Sequence, residues 1–134
     1  MSVIKSKRST SEMEFLANAR KLQIYTIQKC VGFPKRYTFY VSQPIANAAV
    51  HVYEEVKRGN SIYPVNQHEV QMRRDCFLRA YAELQSLVSQ IEAAQELFGI
   101  EMDTMKYWME MIETEMRLVR AVLKNDRARY KELP

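Results

Sequence analysis

Apolar residues recur along this chain in alternating steps of three and four, the spacing that puts them on one side of an α-helix. Phe15, Leu16, Ala19, Leu22, Ile27 and Cys30 form the first such stripe, behind Ser11 and Glu14. That Ser-x-x-Glu spacing suits a capping box, in which hydroxyl and carboxylate each satisfy a free backbone N–H. A helix over 11–31 is predicted, stopped by Gly32, Phe33 and Pro34. Val41, Ile45, Ala48, Val52 and Val56 make a second stripe that ends at Gly59 and Asn60. Pro44 interrupts it, so this helix begins either just before Pro44 with Ser42 as its cap, or near Thr38 with a kink. Val41 already fits the stripe, which favours the earlier start.

Asn66 and Glu69 repeat the capping spacing ahead of Phe77, Ala80, Leu84, Leu87, Val88, Ile91 and Phe98. The third helix is predicted over 66–98, ending at Gly99, a residue that accepts a left-handed cap. Behind Asp103 as cap, Met105, Met109, Ile112, Met116, Val119 and Leu123 repeat in strict four-three steps, predicting a fourth helix to about residue 131. Four amphipathic helices with short connections imply an all-α fold, an antiparallel up-down-up-down four-helix bundle. Residues 1–10 read as a flexible basic N-terminal segment and 11–134 as the bundle.

Composition agrees. The 134 residues suit one domain, and 3 Gly and 4 Pro are too few for the many turns of an all-β chain. No stretch approaches the roughly 18 apolar residues of a membrane span, and the N-terminus lacks the apolar core of a secretory signal. Cys30 and Cys76 show no framework spacing, so a reduced, cytoplasmic protein with no membrane partner is expected.

Catalytic patterns are scarce. Di-metal bundles need Glu-x-x-His pairs, whereas His51 and His68 each lack a Glu three residues earlier. Cys30 with either histidine would make a thiol pair only if the fold brought them together; inside a helical stripe the thiol otherwise serves as a small hydrophobe. No Gly-rich phosphate loop or Cys-x-x-Cys occurs. No enzyme activity, metal or cofactor is expected.

Charge patterning adds more. The net charge is +4, from 20 basic and 16 acidic residues, so distribution matters more than total. On the fourth helix, Trp108, Met111, Leu118 and Val122 form a second apolar stripe beside the seam. That arc is wider than the roughly 100° a bundle helix requires. It implies either an interface between copies or cover by neighbouring helices on both sides. On the remaining surface Arg117, Arg120, Lys124, Arg127 and Lys131 line up in one row. Such a row suits phosphate contacts, or equally a solvated helix end whose cations complement the C-terminal dipole. Lys35 and Arg36 follow Pro34 among aromatic residues, and Arg73, beside Arg74, falls on the core face of helix three. A cation at a core position needs a partner or a wet bundle end.

Several segments resemble a known family. They are Phe33-Pro34-Lys35-Arg36-Tyr37, Arg73-Arg74-Asp75-Cys76-Phe77, Ala82-Glu83-Leu84-Gln85, Gln90-Ile91-Glu92, Leu97-Phe98-Gly99-Ile100 and Val122-Leu123-Lys124-Asn125-Asp126-Arg127. The family is that of four-helix-bundle proteins comprising the accessory variability determinant of diversity-generating retroelements and the proteins encoded in ribosomal-RNA intervening sequences. The likeness spans about 12–130. It implies a homo-pentamer that binds RNA or DNA and works with a reverse transcriptase during mutagenic retrohoming. It also implies nucleic-acid contacts at Lys35, Arg36, Arg73, Arg74, Arg117, Arg120, Lys124 and Arg127. The other function class the sequence admits is a protein–protein module with no nucleic-acid role.

Overall fold

The computed structural model describes the backbone of residues 2–134 and the side chains of residues 14–134. Helix α1 spans Ser2–Val31, α2 Gln43–Ser61, α3 Gln67–Phe98 and α4 Met102–Arg129, and no strand occurs among the described residues. The architecture is the expected all-α four-helix bundle. Because α1 reads through Ser11, that residue is not the helix cap anticipated from its spacing. The basic side chains of segment 1–10 lie outside the described residues.

Between α1 and α2 the chain makes a 3-10 turn, Lys35–Tyr37, and then a π-helical turn, Thr38–Ser42. Pro44 accounts for the wide turn. It has no N–H to give, and its ring would strike the carbonyl four residues back. Instead the Gln43 N–H reaches Thr38 O, five residues back. The α-helix thus begins just before Pro44 with Ser42 at its cap position, the other of the two expected starts, and a π turn from Thr38 leads into it. Two other boundaries also follow their expected chemistry. Asn66 Oδ1 accepts from Glu69 N at 2.9 Å, while Glu69 Oε1 accepts from Val65 N at 2.9 Å, so the capping pair is reciprocal. Gly99 closes α3 at φ 78°, a conformation glycine tolerates. Asp103 lies in the first turn of α4, whose cap position is Glu101.

Cross-helix contacts give the directions. Arg20 stacks on Tyr53 while the Cys30 thiol meets the Ala46 backbone. Glu55 meets Arg79 while His51 meets Glu83. Arg73 meets Asp126 while Arg120 meets Tyr81. Asn18 bonds Glu115 while Thr26 bonds Trp108. In each pair one index rises as the other falls, so every neighbouring pair is antiparallel and α4 closes back onto α1.

That closure corrects one expectation. Trp108 is fully buried, its Nε1 donating to buried Thr26 at 2.9 Å, and Met111 is buried beside it. Leu118 and Val122 are half-buried against the same core. These four residues were expected at an interface between copies, but α4 packs against both α1 and α3, and two neighbours occupy its wide apolar arc within one chain. Gly59 lies in the last turn of α2, which ends at Ser61, one residue past the expected Gly59–Asn60 stop, and a Cβ there would sit 2.7 Å from the Phe77 ring.

No described helix is long and apolar enough to cross a membrane.

A candidate nucleic-acid interface along α3 and α4

The last turns of α4 carry Arg117, Arg120, Lys124, Arg127 and Arg129, followed by Lys131, all exposed. Glu113, the one acid on that row past Lys106, is exposed at its start, whereas two other acids of the second half of α4 are buried. Asp126 is buried against Arg73. Glu115 is fully buried, and burial pushes its carboxyl up to about 8, only partly countered by the amide Asn18 Nδ2 donates to Oε1 at 3.0 Å. The side chain is therefore neutral at pH 7. Beyond Glu115, only Glu132 remains as an exposed acid. The local field is stronger than a net charge of +4 suggests.

The sequence-expected cations divide into three groups. Arg117, Arg120, Lys124, Arg127 and Lys131 form no ion pair among the described residues. Arg120 reaches across to α3, stacking 5.1 Å above the Tyr81 ring and donating to its hydroxyl, which fixes the row beside the α3–α4 seam. Arg74 joins this group: together with Arg127 and Lys131 it borders a cavity of about 270 Å³ between the start of α3 and the end of α4.

Arg73 does not belong to that surface. Its Nε donates to Asp126 Oδ2 at 2.6 Å and its Nη2 to Oδ1 at 3.4 Å, while Nη1 serves the Gly59 and Ile62 carbonyls at 3.0 and 3.2 Å. Phe77 and Tyr130 cover the guanidinium. With its donors engaged inside the fold, Arg73 is a clamp between the α2–α3 connection and α4, and its expected nucleic-acid contact is withdrawn.

Lys35 and Arg36 are exposed at the opposite end. Their turn packs through Phe33 and Tyr37 onto Phe98, where α3 finishes and α4 is about to begin. An α4 of 28 residues puts roughly 40 Å between the two ends. These two cations are not part of the same patch.

Residues that spacing did not single out complete the picture. Tyr81 and Tyr130 are aromatic partners of the cations, and Glu115 interrupts the stripe Trp108, Met111, Leu118, Val122 at a position where an apolar residue belongs. That misplaced carboxyl was the available signal. The thiol–histidine idea finds no geometric support: burial pushes the Cys30 thiol up to about 12, and exposed His51 pairs with Glu83 at 2.9 Å. No cluster of three or more His, Cys, Asp or Glu suited to a metal occurs among the described residues.

Comparison of the chain with family models, curated proteins and solved structures returns no match.

Proposed function

We propose that this chain is a non-enzymatic nucleic-acid-binding bundle that grips the phosphate backbone along the α3–α4 face. The observation that carries the reading is the distribution of charge towards the end of α4, where Arg117, Arg120, Lys124 and Arg127 are exposed with no ion pair among the described residues while Glu115 and Asp126 are buried. Lys and Arg on one face displace condensed counterions from a polyanion, a term independent of base sequence. The resemblance in sequence supplies the setting: RNA or DNA bound together with a reverse transcriptase in the cytoplasm during retroelement mutagenesis, the protein acting as a homo-pentamer. Both the pentamer and the polymerase partner rest on that resemblance alone, since the apolar stripe of α4 is occupied within the chain.

The test is oligonucleotide affinity against salt. Five or six phosphate contacts give a slope of log K on log[salt] of about −4.5 to −5.4, each contact contributing about 0.9. Lys124→Ala and Arg120→Ala should each flatten it by about one unit. A slope near zero, or no binding at low salt, ends this reading.

One observation favours the second reading, association with another protein. At the Lys35–Arg36 end, exposed Tyr40 and Leu97 border one cavity and exposed Val31 and Phe39 another. Clustered exposed apolar side chains mark protein contacts. Phe39→Asp should then abolish any self-association seen by light scattering; a monomer in both forms excludes contact between copies.

A further inference from the structure

Three cations without a carboxylate partner among the described residues, Arg74, Arg127 and Lys131, surround one cavity of about 270 Å³. The cavity is built, not incidental. Its lining includes Asp126, whose two carboxylate oxygens each accept from buried Arg73, at 2.6 and 3.4 Å. Its outer wall is the turn after α4, held on α3 by Gln67. The Gln67 amide N–H donates to Pro134 O at 2.9 Å, and its side-chain Nε2 to the Tyr130 and Leu133 carbonyls at 2.8 and 3.1 Å. These bonds fix the backbone on either side of Lys131. The first-turn amides of Gln67 and Glu69 are already occupied, by Pro134 O and Asn66 Oδ1, so attraction for an anion comes from the three side chains.

We infer that this cavity binds a phosphate monoester, such as the terminal phosphate of a nucleic-acid strand. Charge selects the monoester. Each diester along a backbone carries one negative charge, whereas a monoester carries about −1.5 to −2 at pH 7 with three acceptor oxygens, matching three converging cations that otherwise repel one another. Size agrees, because whole small-molecule sites span roughly 300–1,000 Å³ and this one suits a phosphate and its sugar. The inference rests on the proposed function for its ligand: Arg120 and Lys124 would guide a strand along the α3–α4 seam so that its end reaches Arg127 and Lys131.

The experiment compares three internally labelled oligonucleotides of one sequence, carrying a 5′-phosphate, a 3′-phosphate or neither, at fixed ionic strength. The protein is wild type or the Arg74→Gln/Lys131→Gln double variant. A strand bearing one terminal phosphate should bind wild type roughly tenfold tighter than the unphosphorylated strand, the scale of a charge-assisted contact. The double variant should lose that preference, bind the unphosphorylated strand with a salt slope flattened by up to about two units, and keep an unchanged circular dichroism spectrum. Equal affinities for all three strands overturn the cavity assignment and leave backbone binding along the row standing. A preference that persists in the double variant also overturns it. If no strand binds, yet a nucleoside monophosphate raises the melting temperature of wild type and not of the variant, the cavity assignment survives, its source is the free nucleotide, and the strand-binding reading falls.

Discussion

A carboxyl group enclosed by α1 and α4 depends on pH in a direction opposite to most acids in proteins. Glu115 Oε1 accepts from Asn18, but among the described residues buried Oε2 has no hydrogen-bond partner and no cation bonds this carboxyl. Its ordinary value of 4.5, which applies in the unfolded chain, rises to about 8 in the fold. Between those values the folded state holds a proton that the unfolded state has released, so stability falls as pH rises from about 4.5 to about 8. The loss is on the order of a few kcal/mol. Glu115→Gln keeps the shape and stays neutral, so its melting temperature should decline less across that window and exceed that of wild type at pH 9. Thermal unfolding at several pH values decides it; identical slopes for the two proteins would show that Glu115 is not the group responsible.

At the scale of elements, α2 and α3 meet where Gly59 faces Phe77. Replacing a helical Gly by Ala ordinarily gains about 1 kcal/mol. Here the new methyl would lie 2.7 to 3.0 Å from three ring atoms. Phe77 cannot step aside, because it is fully buried, edge-on to Phe15 at 5.7 Å and covered by Arg73. Overpacking of this kind costs about 1–3 kcal/mol, so Gly59→Ala should be net destabilising in urea denaturation. With Phe77→Leu the two substitutions should cost less together than the sum of their separate costs, as neighbours sharing one volume do. Additive costs would disprove the contact. The sequence suggested a helix end at Gly59 because Gly and Asn usually mark one. Glycine was needed there for closeness of approach.

For the whole molecule, the antiparallel registers place two groups of exposed cations at opposite ends of the bundle. Lys35 and Arg36 sit with Val31, Phe39, Tyr40 and Leu97, while Arg74, Arg127 and Lys131 gather at the far end. Removing both Lys35 and Arg36 should therefore leave the salt slope of oligonucleotide binding within half a unit of wild type, in contrast to Arg120→Ala with Lys124→Ala. A loss of about two units from the first pair would mean a strand that spans the bundle.

Helix number and type, the capping of α3 by Asn66, its stop at Gly99 and the cationic row of α4 were all legible in the chain, because each depends on residues within one or two turns of each other. Neighbours far apart in sequence decided the rest. Arg73 is neutralised by Asp126, 53 residues on, while Arg74 beside it forms no ion pair among the described residues. Trp108 is turned inward onto Thr26, 82 residues earlier, where a single helix offers only an apolar arc and not what covers it. Periodicity gives the angle of a side chain about its own axis; only the register between helices says which partner waits at that angle, and partners determine which charges face solvent.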